Sequence, residues 1–417
     1  MKYDCIVIGG GPSGLMAAIS AGLHGARVLL LEKGDRLGRK LLISGGGRCN
    51  VTNNKEIDEL IQHIPGNGRF MYGPFSVFNN RDIVRFFEEL GIRLKEEDRG
   101  RMFPVSDKAK SVLDALLTKM RDLDVVIKTN TAVASVRYEQ GAVAGVKLRG
   151  GEQIDAPAVI IASGGMSVPK TGSTGDGYAW ARAAGHTITD LYPTEVPIRS
   201  KEPWIKELQG LSLRHIVLTV QNAKGKKIIA HEGDMIFTHF GISGPAVLRC
   251  SQFVVKELKK GATAVQLQLD LFPEQKLEDL QAELYRRAEA EPKKAFKNVI
   301  KGFIPERMIP LLLAKSELDE DTTFANLPKK PLATLAELLK ALPISASGTL
   351  SIEEAFITGG GVHLKEVTPS TMQSKLMPGL FFSGEILDLH GYTGGFNITV
   401  AFSTGYVAGK SAAESYA

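Results

Sequence analysis

The segment Gly9-Gly-Gly-Pro-Ser-Gly14 matches the pattern G-x-G-x-x-G, in which glycines bring the backbone close to a diphosphate. A buried-strand pattern precedes it, a helix pattern begins at Pro12, and Glu32 ends the next strand pattern, 23 residues after Gly9. In such a unit the first glycine makes the tight turn and the third lets the helix pack against the strand. Gly11 leaves room for a pyrophosphate, and Glu32 accepts hydrogen bonds from a ribose. The motif therefore predicts a dinucleotide-binding βαβ unit.

Two later glycine-containing segments favour FAD over NAD as this dinucleotide. Residues 159–165 (VIIASGG) form a strand pattern that runs into a Gly-Gly turn. Residues 379–385 (GLFFSGE) form a strand pattern that ends in Gly-Glu, and a glycine-rich helix start follows at Gly394. This order is similar to that of flavoproteins with a glutathione-reductase-type fold. There the late acid contacts the ribitol, and the last helix N-terminus stabilises negative charge on the reduced flavin.

A second G-x-G-x-x-G motif with its own strand and acid does not occur in the sequence. A separate nicotinamide domain is therefore not expected. We expect NADPH or NADH to act as a transient reductant.

Residues 38–53 (GRKLLISGGGRCNVTN) are the most specific stretch of the chain. They combine cationic side chains, three consecutive glycines and the triplet Arg48-Cys49-Asn50 in one loop. Together with residues 101–107 (RMFPVSD), 172–177 (GSTGDG) and 366–375 (EVTPSTMQSK), this loop resembles the HI0933-like family of bacterial flavoproteins. The resemblance covers nearly the full length and is weakest at about 275–345.

The resemblance implies a FAD/NAD(P)-binding fold interrupted by an insert with a β-barrel part and a helical part, and tightly bound FAD. Some members of the family look like dihydrouridine synthases acting on ribosomal RNA. Another branch resembles reductases of unsaturated oxo-steroids. Both reactions reduce a C=C bond conjugated to a carbonyl. The more distant likeness to fumarate reductases does not bring their catalytic arginine, because residues 391–397 (GYTGGFN) stand in place of the Arg-bearing segment.

The residues predicted to contact FAD come from the glycine turn, the loop at 38–53 and the ends of later strands. They are Gly9, Gly11, Pro12, Ser13, Gly14, Glu32, Lys33, Arg39, Lys40, Gly46, Arg48, Val133, Ala162, Ser163, Gly164, Gly384, Glu385, Gly395, Asn397 and Ile398.

Reduction of such an alkene needs a hydride from reduced flavin and a proton for the neighbouring carbon. Cys49 is the predicted acid, because an ordinary thiol with a pKa of about 8.5 is protonated at pH 7. Its alternative role is that of a small packed apolar residue. Arg48 is predicted to hold an enolate or a phosphate, and Asn50 to donate to the flavin or to a carbonyl. Further candidates for the acid are His231, His239 and His390.

The elements that must position these residues follow from hydrophobic periodicity. Strand and helix patterns alternate near both ends of the chain, strand-length pieces fill the stretch after Pro193, and a charged helical stretch follows. We predict an α/β protein with a glutathione-reductase-type FAD/NAD(P)-binding fold. Its FAD-binding domain comprises residues 1–192 and 346–417, with a β-barrel-like insert at 193–272 and a helical insert at 273–345.

Composition narrows the class of protein. The 417 residues are 43% hydrophobic and 23% charged, which is typical of a globular protein. Three cysteines without a CxxC spacing exclude a disulfide scaffold, a thiolate metal cluster and a redox-active disulfide pair. The sequence shows no HExxH or paired Cys/His spacing, so we expect no metal. No stretch approaches the roughly 20 apolar residues of a membrane helix. We predict a cytoplasmic protein without a membrane partner and leave its oligomeric state open.

Positive charge is concentrated in the first half of the predicted insert. The whole chain carries +5, and residues 191–265 hold 11 Lys and Arg against 6 Asp and Glu. Much of this charge sits in two groups, Lys224, Lys226 and Lys227, and Lys256, Lys259 and Lys260. Solvated hairpin tips and helix faces account for such groups, and so does an anion-binding face for ribosomal RNA.

Three functions stay open at this point. The leading one is a FAD-dependent enzyme that uses NAD(P)H to reduce uridine to dihydrouridine in ribosomal RNA. The second reduces a small unsaturated oxo compound, such as a steroid or bile acid, for which an apolar cleft is expected. The third is a non-redox flavin module.

Overall fold

A computed structural model describes residues 2–416. The helices are α1 Pro12–Leu23, α2 Arg39–Ile43, α3 Ile57–Gln62, α4 Tyr72–Val77, α5 Asn80–Glu89, α6 Ala109–Asp122, α7 Asp176–Ala183, α8 Pro203–Glu207, α9 Pro245–Lys259, α10 Leu277–Ala290, α11 Phe296–Val299, α12 Ile309–Lys315, α13 Lys329–Ala341 and α14 Phe396–Tyr416. The strands are β1 Cys5–Ile8, β2 Val28–Leu31, β3 Thr52–Asn53, β4 Leu94–Glu97, β5 Arg101–Pro104, β6 Val126–Lys128, β7 Val133–Glu139, β8 Ala142–Leu148, β9 Gln153–Asp155, β10 Ala158–Ile161, β11 Tyr192–Thr194, β12 Ile198–Ser200, β13 Ser212–Gln221, β14 Lys227–Thr238, β15 Gly241–Ser243, β16 Val265–Asp270, β17 Leu342–Thr349, β18 Ile357–Gly359 and β19 Leu380–Phe382.

The chain forms two compact units. The first contains the residues up to Pro193 together with those from Ile352 onward, and the second contains the residues between them. Among the described helices, none has the length and apolarity needed to cross a bilayer.

A parallel sheet with the strand order β19-β10-β1-β2-β6 forms the centre of the first unit. Strands β1, β2, β10 and β19 are buried throughout, which explains why they read as continuous apolar runs rather than as alternating patterns. The first three elements have the predicted βαβ order, with β1 and β2 in parallel register from Cys5 opposite Val28. The predicted α/β fold class is confirmed.

Helices α1 and α14 pack with their backbones in close contact. A Cβ atom built on Gly405 would lie 2.3 Å from the carbonyl oxygen of Ser13, and one on Gly409 would lie 2.1 Å from that of Ala17. Both partners advance by four residues, so the two helices run in the same direction. Gly405, nine residues after the start of α14, lies opposite Ser13, one residue after the start of α1, so α14 begins about eight residues, or about 12 Å, beyond the start of α1.

The first unit also contains two three-stranded antiparallel sheets. The order β3-β5-β4 places Thr52 opposite Met102, so the residues after the Arg48-Cys49-Asn50 triplet are held by residues 101–104. The order β7-β8-β9 forms a meander. Strand β6 does not belong to this meander, because it lies at the edge of the parallel sheet beside β2.

The second unit contains a closed barrel with the strand order β12-β15-β14-β13-β16-β17, and helices α10 to α13 follow β16 in the chain. Three of its elements were not expected from the sequence, the short helix α8, helix α9 and strand β17. Helix α9 interrupts the range 193–272, which was predicted to be β. It begins with Pro245 after Gly244 and buries residues spaced three and four apart, including Val247, Cys250 and Val254, which is the helical period.

The barrel's last strand also lies outside the predicted range. Strand β17 pairs with β16 and β12, so the second unit extends to Ser351 rather than to residue 345. Its alternating pattern of buried and partly exposed residues is that of a barrel strand. The break in composition near residue 350 marks the end of this strand.

We expect Gly409→Ala to destabilise the protein, although alanine is the better helix former by about 1 kcal/mol. The added methyl group would meet the backbone of α1, and overpacking of this kind costs about 2 kcal/mol. Thermal unfolding of the purified variant measures the effect. Gly150→Ala is the matched control, because a Cβ atom at Gly150 has no neighbour within 4 Å. An unchanged or higher melting temperature for Gly409→Ala would contradict the close contact.

Candidate functional site

The glycine turn after β1 joins three elements of the first unit. Gly9 has φ +111°, and a Cβ atom on it would lie 2.5 Å from the carbonyl oxygen of Ala162 at the end of β10. A Cβ atom on Gly14 would lie 1.8 Å from the carbonyl oxygen of Gly9. Only glycine fits these two positions, and the roles predicted for Gly9 and Gly14 match these contacts.

Gly11 and Gly46 differ from these two glycines because they face open space. A Cβ atom on either residue would have no atom within 4 Å. Gly11 precedes the first residue of α1, where unpaired backbone N–H groups and the helix dipole favour an anion. Gly46 has φ +69° and lies in the exposed turn at 44–47. The two positions therefore have the free backbone surface that a pyrophosphate requires.

Glu32 fixes the glycine turn from the end of β2. Its carboxylate accepts hydrogen bonds from the backbone N–H of Gly10 at 2.8 Å and of Gly34 at 2.7 Å. Each carboxylate oxygen retains a further lone pair, so the predicted contact with a ribose hydroxyl is compatible with these bonds. Glu32 thus orders the turn and still has an acceptor for a ligand.

Glu385 is surrounded by donors at the end of β19. It accepts from Lys40 Nζ at 2.7 Å, from the Ser167 hydroxyl at 2.8 Å and from the Thr358 backbone N–H at 2.8 Å. Its neighbour Gly384 has φ +75°, and a Cβ atom there would lie 2.5 Å from the Ser13 hydroxyl. The late Gly-Glu motif and the first glycine motif therefore meet at the start of α1.

Two other predicted cationic residues pair with acids near the same edge. Lys33 Nζ contacts Asp176 Oδ2 at 2.7 Å and the hydroxyl of Thr174, which ties the 172–177 segment to the end of β2. Arg39 pairs with Asp35. The segment 172–177 lies next to the predicted ribose acid, because a Cβ atom on Gly172 would be 3.9 Å from Glu32 Oε1.

Arg48 is held by residues that sequence reasoning did not identify. Its guanidinium contacts Glu97 at 2.8 Å and Asp107 at 3.3 Å, and it lies 4.0 Å from the ring centroid of Phe103. The Arg48 guanidinium lowers the pKa of Glu97, so this pair stays charged at neutral pH. An enolate or phosphate at Arg48 would compete with these two carboxylates.

Cys49 is fully buried, in a left-handed backbone conformation with φ 63°. Burial raises the pKa of its thiol to about 12. The thiol therefore stays protonated at neutral pH and cannot act as a thiolate nucleophile. Full burial and a pKa far above neutral fit the alternative role of a small packed residue better than that of a general acid, which works best with a pKa near the operating pH.

Asn50 lies where the loop meets the last helix. Its side-chain Nδ2 is 3.1 Å from the position of a Cβ atom on Gly395, which has φ +96° and precedes α14. The hydroxyl groups of Thr52 and Thr399, 2.7 Å apart, join the following strand to the same helix end. The Arg-Cys-Asn triplet and the start of α14 are therefore neighbours, as the proposed flavin site requires.

Asn397 has a different environment from the one predicted. Its side chain accepts from the Gly391 N–H at 2.7 Å and donates to the Gly391 and Tyr392 carbonyls, which closes the loop before α14. Both of its amide hydrogens are therefore used, and only the second lone pair of Oδ1 and the backbone are left to contact a cofactor. Ile398 lies in the first turn of α14 and is partly exposed.

The remaining predicted residues occupy the first unit as well, except two of the histidines. Val133 begins β7 and is buried, and Thr131 just before it donates its N–H to the Glu32 carbonyl. After β10, Gly164 has φ +74°, and the Ser163 hydroxyl is buried without a partner among the described atoms. Pro12 is the first residue of α1. His390 belongs to the first unit, whereas His231 and His239 belong to the barrel unit.

Several residues of this site had no predicted role. Phe103, Asp107, Thr174 and Asp176 lie in segments whose resemblance to the family was noted, but nothing in the local pattern shows which side chain they would meet. Ser167 and Glu97 had no signal, because their partners lie far away in the sequence. No cluster of three or more potential metal-ligating side chains occurs within residues 2–416.

Comparisons with known proteins show the family to which the chain belongs. A model described as HI0933-like protein Rossmann domain matches residues 3–411. The 3-dehydro-bile acid delta(4,6)-reductase of Clostridium scindens is 31% identical over 412 residues, which cover 98% of both chains. The ribosomal RNA dihydrouridine synthase of Escherichia coli is 29% identical over 412 residues, again 98% of both chains.

A solved structure shares the fold at lower sequence identity. The 3-ketosteroid-delta4-(5alpha)-dehydrogenase from Rhodococcus jostii superimposes with a TM-score of 0.50 and 16% identity, covering 99% of this chain and 96% of that chain. At this identity the likeness concerns the fold alone.

We expect Gly11→Val to abolish FAD binding without unfolding the protein. The valine side chain would fill the free space at the start of α1 that a pyrophosphate needs, and it has no protein atom to clash with. The visible absorbance of the purified variant and its affinity for added FAD measure binding, and thermal unfolding without FAD measures the fold. Retention of FAD at wild-type affinity would contradict the assignment of Gly11 to the pyrophosphate site.

Proposed function

Because this chain belongs to the HI0933-like family, and with it to the FAD-dependent oxidoreductases, we propose that it uses FAD and NAD(P)H to reduce uridine to dihydrouridine in ribosomal RNA. This places the reaction among reductions of a C=C bond conjugated to a carbonyl. An RNA substrate also agrees with the cytoplasmic location predicted from the cysteine content. The oxidoreductase family leaves no need for the non-redox alternative.

The observation that carries the RNA substrate is the tip of the β13–β14 hairpin. Lys224, Lys226 and Lys227 are exposed there, and none of them forms an ion pair with another described residue. The Asn222 side chain accepts from the N–H groups of Lys224 at 2.9 Å and Lys226 at 3.0 Å, which orders the turn that presents these lysines. Three uncompensated cations on an ordered tip fit a phosphate backbone.

The second lysine group lies toward the same end of the barrel unit. Helix α9 begins beside Gly233, because a Cβ atom on Gly233 would be 3.2 Å from Ala246 N. Further along, Phe253 of α9 lies beside His231 of β14, with ring centroids 6.5 Å apart. The helix therefore runs toward the end of β14 that begins at Lys227, and its last turn brings Lys256 and Lys259 to that end.

The residues of the first unit fit FAD in their chemistry. Gly11 and Gly46 offer free backbone to the pyrophosphate, Glu32 and Glu385 offer acceptors to sugar hydroxyls, and the start of α14 offers its dipole to the pyrimidine end. FAD, once reduced by NAD(P)H, supplies the hydride. The chain must supply the orientation and a proton donor other than the fully buried Cys49 thiol. Arg48 would hold a phosphate or an enolate oxygen in place of its contacts with Glu97 and Asp107.

A small unsaturated oxo compound is the second candidate substrate. The observation in its favour is the full-length similarity to the bile-acid reductase, which matches the similarity to the RNA enzyme in both extent and identity. A bile-acid-like enone would not need the lysine tip. The two candidates therefore predict different effects of those lysines on catalysis.

Ribosomal RNA from cells with and without the gene tests the substrate. We expect RNA from the wild type to contain a uridine-derived species two mass units heavier, because reduction of a C=C bond adds two hydrogens. Mass spectrometry of RNA fragments measures it, and restoring the gene is the control. Identical RNA in both strains would contradict the proposal that RNA is the substrate and would make the small enone the leading candidate.

We expect a triple variant to bind RNA more weakly and with a flatter salt dependence when Ala replaces Lys224, Lys226 and Lys227 together. Each phosphate contact on single-stranded RNA contributes a slope of about −0.7 in log affinity against log salt concentration. Titrations at several salt concentrations measure both effects, and FAD content should stay unchanged.

The matched control removes the same charge elsewhere in the second unit, at Lys293, Lys329 and Lys330, which are exposed and without ion pairs among the described residues. Equal losses in both triple variants would show that net charge alone accounts for binding and would contradict a role for the hairpin tip.

A further inference from the structure

The carboxamide of Asn50 is buried and unused. Only 7% of the residue is exposed, and its Oδ1 atom has no hydrogen-bond partner among the described atoms. The Nδ2 group forms no hydrogen bond within residues 2–416 either, but unlike Oδ1 it is not fully buried. A buried polar atom without a partner costs about 1–3 kcal/mol, so a ligand that donates a hydrogen bond to Oδ1 would offset this cost.

Nearby asparagines show that the fold satisfies such groups when their role is structural. Asn53 donates to the carbonyls of Arg99 at 3.1 Å and Gly394 at 2.9 Å and accepts from the Lys55 N–H. Asn80, which is 1% exposed, donates to the carbonyls of Asn53 and Lys55 at 2.8 and 2.9 Å. Asn50 is the exception among the three.

The surroundings of Asn50 limit what its partner can be. A Cβ atom on Gly45 would lie 3.5 Å from the Cβ atom of Asn50, and one on Gly395 would lie 3.1 Å from the Nδ2 atom of Asn50. Both glycines therefore present bare backbone to Asn50. Gly395 precedes α14, whose N-terminus attracts partial negative charge. A flat ring with carbonyl oxygens fits a site bordered by glycine backbone and a helix N-terminus.

We propose that the Asn50 carboxamide binds an imide edge, an N–H flanked by two carbonyl groups. Oδ1 accepts from the imide N–H, and Nδ2 donates to one of the adjacent carbonyl oxygens. This pairing uses both free groups of Asn50 at once, which a ligand with only acceptors does not. The flavin pyrimidine and the uracil base both have such an edge, whereas a steroid enone has none. If the bound imide edge is that of uracil, the inference rests on the proposed function. If it is that of flavin, the inference rests only on FAD binding.

Asn50→Leu tests the proposal, since it removes both polar atoms and keeps the branched shape. Without FAD, this variant should unfold at the same or a higher temperature than the wild type, because an unsatisfied polar group has been replaced by an apolar one. Asn50→Asp, which keeps the acceptor and loses the donor, is the second variant. Asn80→Asp is the control for a buried asparagine whose amide is already satisfied.

The first arm measures the flavin edge in the absence of RNA. If flavin is the source, both Asn50 variants bind FAD at least about tenfold more weakly, as expected for losing hydrogen bonds to a buried partner. The flavin midpoint potential of the Asn50→Asp variant also becomes more negative, because an added anion opposes reduced flavin. Asn80→Asp should lower thermal stability and leave the midpoint potential unchanged.

The second arm measures the uracil edge with the FAD-loaded enzyme. If uracil is the source, FAD affinity and potential stay at wild-type values, while kcat/KM for uridine in RNA falls at least about tenfold. Unchanged values in both arms would overturn the role of Asn50 while leaving the proposed function intact. A wild-type protein that binds FAD but does not reduce uridine would overturn the proposed RNA reaction. The first arm would still show whether Asn50 binds the imide edge of the flavin.

Discussion

The close contact between α1 and α14 determines where the two ends of the site lie. Two glycines of α14 sit against carbonyl oxygens of α1, which fixes the separation and the relative shift of the helices. Because the helices run in the same direction, their N-termini face the same way, and α14 extends about 12 Å past the start of α1. Each N-terminus favours negative charge, the first at the glycine turn and the second beside Asn50. A molecule with a diphosphate at one end and an electron-accepting ring at the other suits this spacing.

Charged side chains at this edge are arranged as pairs rather than as a single basic pocket. Lys40 contacts Glu385, Lys33 contacts Asp176, and Arg48 contacts Glu97. Each pair joins segments that are distant in the sequence, so these pairs help to fix loop positions. In contrast, the lysines of the hairpin tip are uncompensated and exposed. Cations at this edge of the first unit are thus neutralised by acids, whereas those of the hairpin tip are not.

Local patterns allowed much of the fold and some of the site to be predicted. The βαβ unit, the roles of Gly9 and Gly14 and the barrel strands follow from motif spacing and periodicity, which act over a few residues. Helix α9 was missed because it interrupts a range dominated by strand-length pieces. The pairing of Arg48 with Glu97 and the closing of a loop by Asn397 depend on tertiary contacts, which a single sequence does not contain. The same holds for Asn50: the sequence singled it out as a candidate hydrogen-bond donor, but it did not show that its side chain lacks a partner in the fold.

The order of the segments along the chain affects how the protein is made. The glycine turn and α1 precede the barrel unit in the chain, whereas α14, which packs against α1, follows it. Until α14 has been synthesised, the face of α1 that it covers stays exposed, while the barrel unit, with its own core, is already complete. The full dinucleotide site therefore forms only after the barrel unit, and a nascent chain that stops before residue 396 exposes an apolar helix face to chaperones and proteases.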